Sequence, residues 1–191
     1  MQAFYATAPH KRPPMCLQYA IWTMASNGHD KYSRYHDMFY NRARNYLETD
    51  ELRVSHQRQP SRFFFSVLTW LQGYGEHFIS LAHAQAWALV GTNEARSMHF
   101  TRAAMSSARC VRLCEMMGFH RLDDPSGDEN PMVPTINPPH DWIELEERRR
   151  IFWGAFCMDS HASISTGWPT LIDMSLVSSV PDYPVLERAC S

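Results

Sequence analysis

Residues 141–169 read Asp-Trp-Ile-Glu-Leu-Glu-Glu-Arg-Arg-Arg-Ile-Phe-Trp-Gly-Ala-Phe-Cys-Met-Asp-Ser-His-Ala-Ser-Ile-Ser-Thr-Gly-Trp-Pro. A charged opening runs into eight consecutive apolar residues, 151–158, which are expected to enter a helical core as an interior rod. Asp141 followed three residues later by Glu144 has the layout of a capping box, with aspartate as the cap. Glu144, Glu146 and Glu147 lie in the first turns, where the helix dipole favours negative charge. Gly167 and Pro169 supply the stop.

Within that helix the run Arg148, Arg149, Arg150 sweeps about 200°, because successive residues turn about 100° apart. The three cannot share one face, so at least one points toward the protein. Two arrangements stay open. One is a solvated turn with Glu144–Arg148 and Glu146–Arg150 pairs four residues apart. In the other, one arginine crosses to a neighbouring helix through a bidentate bond. Asp159 closes the apolar run, and a carboxylate there is costly unless paired or exposed. Arg109, Arg112 or Arg121 is the expected partner.

Working outward, the period stays helical. Pro13 and Pro14 suit a first turn, and Cys16, Tyr19, Ala20, Thr23 and Met24 form one stripe ending at Gly28. Asp30 suits a cap for the next helix, with Tyr32, Tyr35, Phe39, Ala43, Tyr46 and Leu47 spaced along it. Residues 49–62 read as a loop. The run 63–71 is almost uniformly apolar and fits a buried helix or a strand equally. Helical spacing returns over 78–90, and a further helix is expected over 94–117 with Gly118 as its C′ residue. Residues 123–140 form a proline-rich connector. The fold class is therefore all-α, an irregular multi-helix bundle.

The chain has 191 residues, 45% hydrophobic and 13% aromatic, enough for a sizeable core. Its formal net charge of −2, without a long basic run, argues against direct nucleic-acid contact by this segment. No apolar run reaches the ~18 residues of a membrane span, and the first residues lack a signal-peptide layout. Cys16, Cys110, Cys114, Cys157 and Cys190 contain no Cys-x-x-Cys, and Cys110 and Cys114 read as small buried hydrophobes. Ten scattered histidines contain no pair at i, i+4. The sequence thus gives no metal ligands, no cofactor-binding residues and no catalytic residues. Without Gly-x-Ser-x-Gly, Walker or Gly-x-Gly-x-x-Gly motifs the chain does not read as an enzyme. The rings of Phe152, Trp153 and Phe156 read as core.

Ala84-Gln85-Ala86-Trp87, Phe100-Thr101-Arg102-Ala103, the stretch from Val111 to Asp123, the Glu-Glu-Arg-Arg-Arg-Ile-Phe-Trp run at 146–153, Asp159, and Gly167-Trp168-Pro169 together resemble the fungal-specific transcription factor domain, the middle homology region of zinc-cluster regulators. The likeness is loose over 13–53 and close over 73–183, and within the family it is nearest to the xylanolytic activator subgroup. The resemblance implies part of a larger α-helical regulatory domain that controls RNA polymerase II transcription in the nucleus, of polysaccharide-degradation or carbohydrate-use genes. It also implies structural or regulatory roles for Arg112, Arg121, Glu146, Arg148, Arg149, Arg150, Trp153, Asp159, Gly167, Trp168 and Pro169. Ser160 stands where many relatives carry arginine. The expected partner is the remainder of the regulatory domain or another protein, with no membrane involvement.

Two other functions compete. A helical module sensing a small-molecule inducer would show a cavity lined by Trp87, Trp142, Trp153 or Trp168. A helical enzyme would need converging carboxylates or histidines. The chain stops where relatives continue, so it is expected to be a truncated product that exposes apolar area and dissolves poorly. Residues 54–72 match nothing in the family, while 51–53 and 73–76 join across them. We read these 19 residues as a translated, unspliced intron, for which a transcript sequence is the test.

Overall fold

The computed structural model describes residues 12–52, 79–122 and 136–173. They form five helices and no strand: α1 Met15–Ser26, α2 His36–Leu52, α3 Leu81–Arg96, α4 Phe100–Met116 and α5 Trp142–Thr166. Short 3-10 turns lie at Ser33–Tyr35 and Phe119–Arg121. The all-α class holds. The insertion read at 54–72 lies outside the described residues, as does the connector up to residue 135.

α1 and α2 pack as an antiparallel hairpin, with Tyr19 facing Arg42 and Ser26 facing His36. α3 and α4 form a second hairpin and the most extensive packing among the described helices. α5 runs parallel to α3, as the Gln85–Glu147 and Thr92–Met158 contacts show. α3 touches all four other helices and is the centre of the bundle. Its buried face of Ala84, Trp87, Val90, Gly91 and Glu94 follows the 3.6-residue period. α4 answers with Ala103, Ser106, Ser107, Cys110, Val111, Leu113 and Cys114. Cys110 and Cys114 are buried, and the Cys110 thiol donates to the Ala84 carbonyl at 3.3 Å.

Several boundaries differ from the sequence reading. Asp30 does not cap α2. Its carbonyl accepts from Ser33 Oγ at 3.1 Å, and the α-helix begins only at His36. Of the expected α2 stripe, Ala43 and Leu47 are buried, whereas Tyr32, Tyr35 and Tyr46 are exposed. α2 also continues to Leu52, into the stretch read as loop.

The two helices expected over 78–90 and 94–117 are present as α3 and α4, but the boundary between them lies later than the sequence reading put it. Gly91 does not end a helix; a Cβ there would meet Ser106 Cβ at 3.4 Å, so glycine lets α3 and α4 approach closely. The break falls at 97–99, where His99 N–H donates to Glu94 O and Met98 N–H to Ala95 O. This is the bonding of a Schellman cap, with Met98 at φ 61° where glycine is usual. A non-glycine residue there costs about 1–2 kcal/mol, and Met98 is 74% exposed. Met98→Gly is therefore expected to stabilise the fold by about 1 kcal/mol, net of glycine's entropy, as a higher urea midpoint at unchanged slope.

Candidate functional site

The Asp141 cap is present. Asp141 Oδ1 accepts from Glu144 N–H at 2.7 Å. The returning bond goes one residue further back than a capping box requires, from His140 N–H to Glu144 Oε2 at 2.9 Å. That N–H, and then Arg148, hold the Glu144 carboxyl below its usual range. The arginine run divides by face. Arg148 is buried, donates to Glu144 Oε1 at 2.6 Å and lies 5.9 Å from the centre of the Phe119 ring. Arg150 is solvated and bonds Glu146 Oε1 at 2.9 Å. Arg149 lies 3.9 Å from Glu146 Oε2. Both i, i+4 pairs are thus present, and the arginine that turns inward stacks on an aromatic face.

The apolar run buries one face, not its whole circumference. Ile151, Phe152 and Ala155 are buried, Trp153 and Phe156 are half-buried edge to face at 5.7 Å, and Cys157 is exposed. Only six of the 25 residues of α5 are buried; all-round burial needs further elements on its other side.

Asp159 is buried, yet its partner is not an arginine. Its Oδ2 accepts backbone N–H bonds from Leu171 at 2.7 Å and Ile172 at 3.1 Å. Arg112 instead reaches Glu115 at 3.2 Å on the surface, and Arg109 lies 3.7 Å from Glu51. Arg121 sits in the 3-10 turn after α4. The chain reverses at Gly167, whose φ of +75° favours glycine, and its N–H bonds Ser163 O at 2.8 Å. Ser163 Oγ then donates to Trp168 O at 2.6 Å. Trp168 and Pro169 are exposed, while Ile172 enters the core. Asp159 through Ile172 form a clasp that folds the Gly-Trp-Pro segment back onto α5. Asp159→Ala leaves two amides without an acceptor and is expected to cost about 2–3 kcal/mol, with faster hydrogen exchange at Leu171 and Ile172. Asp159→Asn keeps an acceptor and should lose less.

Two polar clusters escaped the sequence reading. In the first, Glu94 is 1% exposed and draws three helices together. It accepts from Tyr40 Oη at 2.5 Å, Arg44 Nη1 at 2.5 Å and Ser106 Oγ at 2.6 Å. Burial and the Glu94 bond push the Tyr40 phenol up to about 12. Arg44 also chelates Glu48 Oε1 through Nε at 3.1 Å and Nη2 at 2.6 Å. Glu94 lies seven residues after Trp87, on the same buried face, and that spacing was the available signal. In the second, Cys16, Asp50 and His83 converge from α1, α2 and α3. They are more than thirty residues apart in the chain, so no local spacing reveals them.

A cleft of about 550 Å³ opens between α3, α4 and α5. Gly91, Ala95, Phe100, Ala103, Met158 and Ala162 give it apolar walls. None of the four tryptophans named for an inducer cavity lines it. Buried Ser107 contributes an Oγ with no hydrogen-bond partner among the described residues. No helix among the described residues is long and apolar enough to cross a membrane.

Among the described residues the helices are joined by the buried Glu94 cluster, and the Gly-Trp-Pro segment closes on Asp159 through backbone amides. Residues 11–184 match the fungal specific transcription factor domain, and the chain belongs to that family. It is 29% identical over 180 residues to the citrinin biosynthesis transcriptional activator mrl3 of Monascus ruber, covering 94% of this chain and 30% of that protein. The pigment biosynthesis transcriptional activator pigB of the same species is 29% identical over 170 residues, 89% of this chain and 27% of the relative. The ascochitine biosynthesis cluster transcriptional regulator of Didymella fabae is 27% identical over 174 residues, 91% of this chain and 26% of the relative. The chain thus spans less than a third of the length of these relatives. No solved structure matches it. The family and these relatives are regulators of transcription, not enzymes. Their names speak of biosynthesis, so the xylanolytic subgroup and the carbohydrate-use genes read from the sequence gain no support.

Proposed function

We propose that this chain is the helical regulatory segment of a nuclear zinc-cluster activator that controls a biosynthetic gene cluster. The observation that carries the reading is the match of nearly the whole chain to regulators named for such clusters. The structure is compatible with it: the buried Glu94, Tyr40, Arg44 and Ser106 groups join helices to one another. Disrupting the gene in the fungus that carries it and sequencing its transcripts tests the proposal. Transcripts of a contiguous set of biosynthetic genes are expected to fall. An unchanged cluster with reduced polysaccharide-degradation transcripts would instead return the carbohydrate reading.

The cleft favours a second reading, in which an apolar small molecule with one hydrogen-bonding group sits against Ser107 and biases the domain. Cluster products added to the folded chain would raise its melting temperature, and Ala103→Trp, which fills the cleft, would abolish the rise.

A further inference from the structure

Cys16, Asp50 and His83 each offer one donor atom, and the three atoms lie within 4.8 Å of one another. Cys16 is in the first turn of α1, Asp50 in the last turns of α2 and His83 in the first turn of α3. Cys16 is fully buried and His83 nearly so, and Asp50 is mostly covered. We propose that these three side chains bind a zinc ion that pins α1, α2 and α3 together.

The donor set carries the argument. A thiol, an imidazole and a carboxylate are the three side-chain types that zinc takes in four-coordinate sites. Three protein ligands leave the fourth position to water or a further donor. The imidazole is already oriented: His83 Nδ1 lies 2.8 Å from Ser80 Oγ, the N-cap of α3, and Nε2 faces Asp50 Oδ2 at 3.2 Å. Fixing one ring nitrogen so that the other meets the ion is the usual outer support of a zinc histidine.

Zinc entry displaces the thiol proton from sulfur to solvent and leaves a thiolate–zinc bond. The three donors lie within 4.8 Å of one another and the His83 Nε2–Asp50 Oδ2 pair is 3.2 Å apart, close to the roughly 3.5 Å edge of a zinc tetrahedron. Without the ion the cluster is a His83–Asp50 ion pair beside an inert thiol, which is the competing account.

The full chain, dialysed against chelator and then titrated with zinc, is expected to bind one equivalent. Its melting temperature should rise by about 5–10 °C at saturation. Cobalt in place of zinc is expected to give a near-ultraviolet thiolate-to-metal charge-transfer band. The band should vanish in Cys16→Ala, which removes only a buried sulfur, and persist in Cys157→Ser, which removes the exposed thiol. Asp50→Asn should weaken cobalt binding about tenfold or more while circular dichroism stays helical. A folded wild-type chain with no cobalt band and no thermal response to zinc, or a band that survives Cys16→Ala, overturns the proposal.

Discussion

Glu94→Ala is expected to lower the folding free energy by about 3–5 kcal/mol, the usual consequence of deleting one member of a buried charged pair. The carboxylate lies at the meeting of α2, α3 and α4, and three donors converge on it. Arg102 adds positive charge 3.8 Å away. Without the carboxylate, the buried end of Arg44 faces only Ser106 Oγ at 3.5 Å, and the Tyr40 hydroxyl loses its acceptor. Arg44 would keep Glu48 and part of its solvation, since its side chain is 16% exposed, which holds the loss below that of a wholly sequestered charge. A urea melt followed by circular dichroism measures the effect as a lower midpoint. Replacing the pair together, Arg44→Met with Glu94→Leu, removes both charges and keeps the volume. That double variant should recover most of the stability. If Glu94→Ala alone proves neutral, the three helices are held by apolar packing, and the polar cluster is incidental.

The contrast between Glu94 and Asp159 shows what one chain's sequence discloses. Asp159 was legible because it interrupts an apolar run. Its partner was not, since backbone amides twelve and thirteen residues on have no identity in a sequence. α5 could be read at both ends because Asp141, Gly167 and Pro169 are local signals. The position of the α3–α4 break could not, because its cap uses Met98 where glycine normally marks the end of a helix, and the break was read about six residues too early. Glu94 looked like the start of the next helix, and only the fold shows it to be the buried end of the previous one. Arg148 illustrates a partial reading. The geometry of a helix demanded that one arginine turn inward, but the Phe119 ring that receives it lies beyond any spacing rule. The Cys16–Asp50–His83 cluster is the extreme case, assembled by tertiary packing alone.

Trp87→Ala is expected to cost about 3–5 kcal/mol, in the range of large aromatic truncations in well-packed cores. Trp87 is 1% exposed and sits midway along the helix that touches every other one. Its ring carries two guanidinium groups, Arg109 at 4.6 Å and Arg44 at 5.7 Å from the centroid. The substitution therefore opens a cavity and also removes the surface on which two cations rest. Arg44 connects this site to Glu94, so the effects of Trp87→Ala and Glu94→Ala should not add. The double variant is expected to lose less than the two single losses combined. Trp87→Phe retains an aromatic face and most of the volume, and should fall well short of the alanine loss. Calorimetric melts of the original chain and the four variants at one pH measure these differences. A Trp87→Ala chain as stable as the original would mean that α3 is not the centre of the bundle. Strict additivity would mean that Arg44 does not couple the ring to the carboxylate.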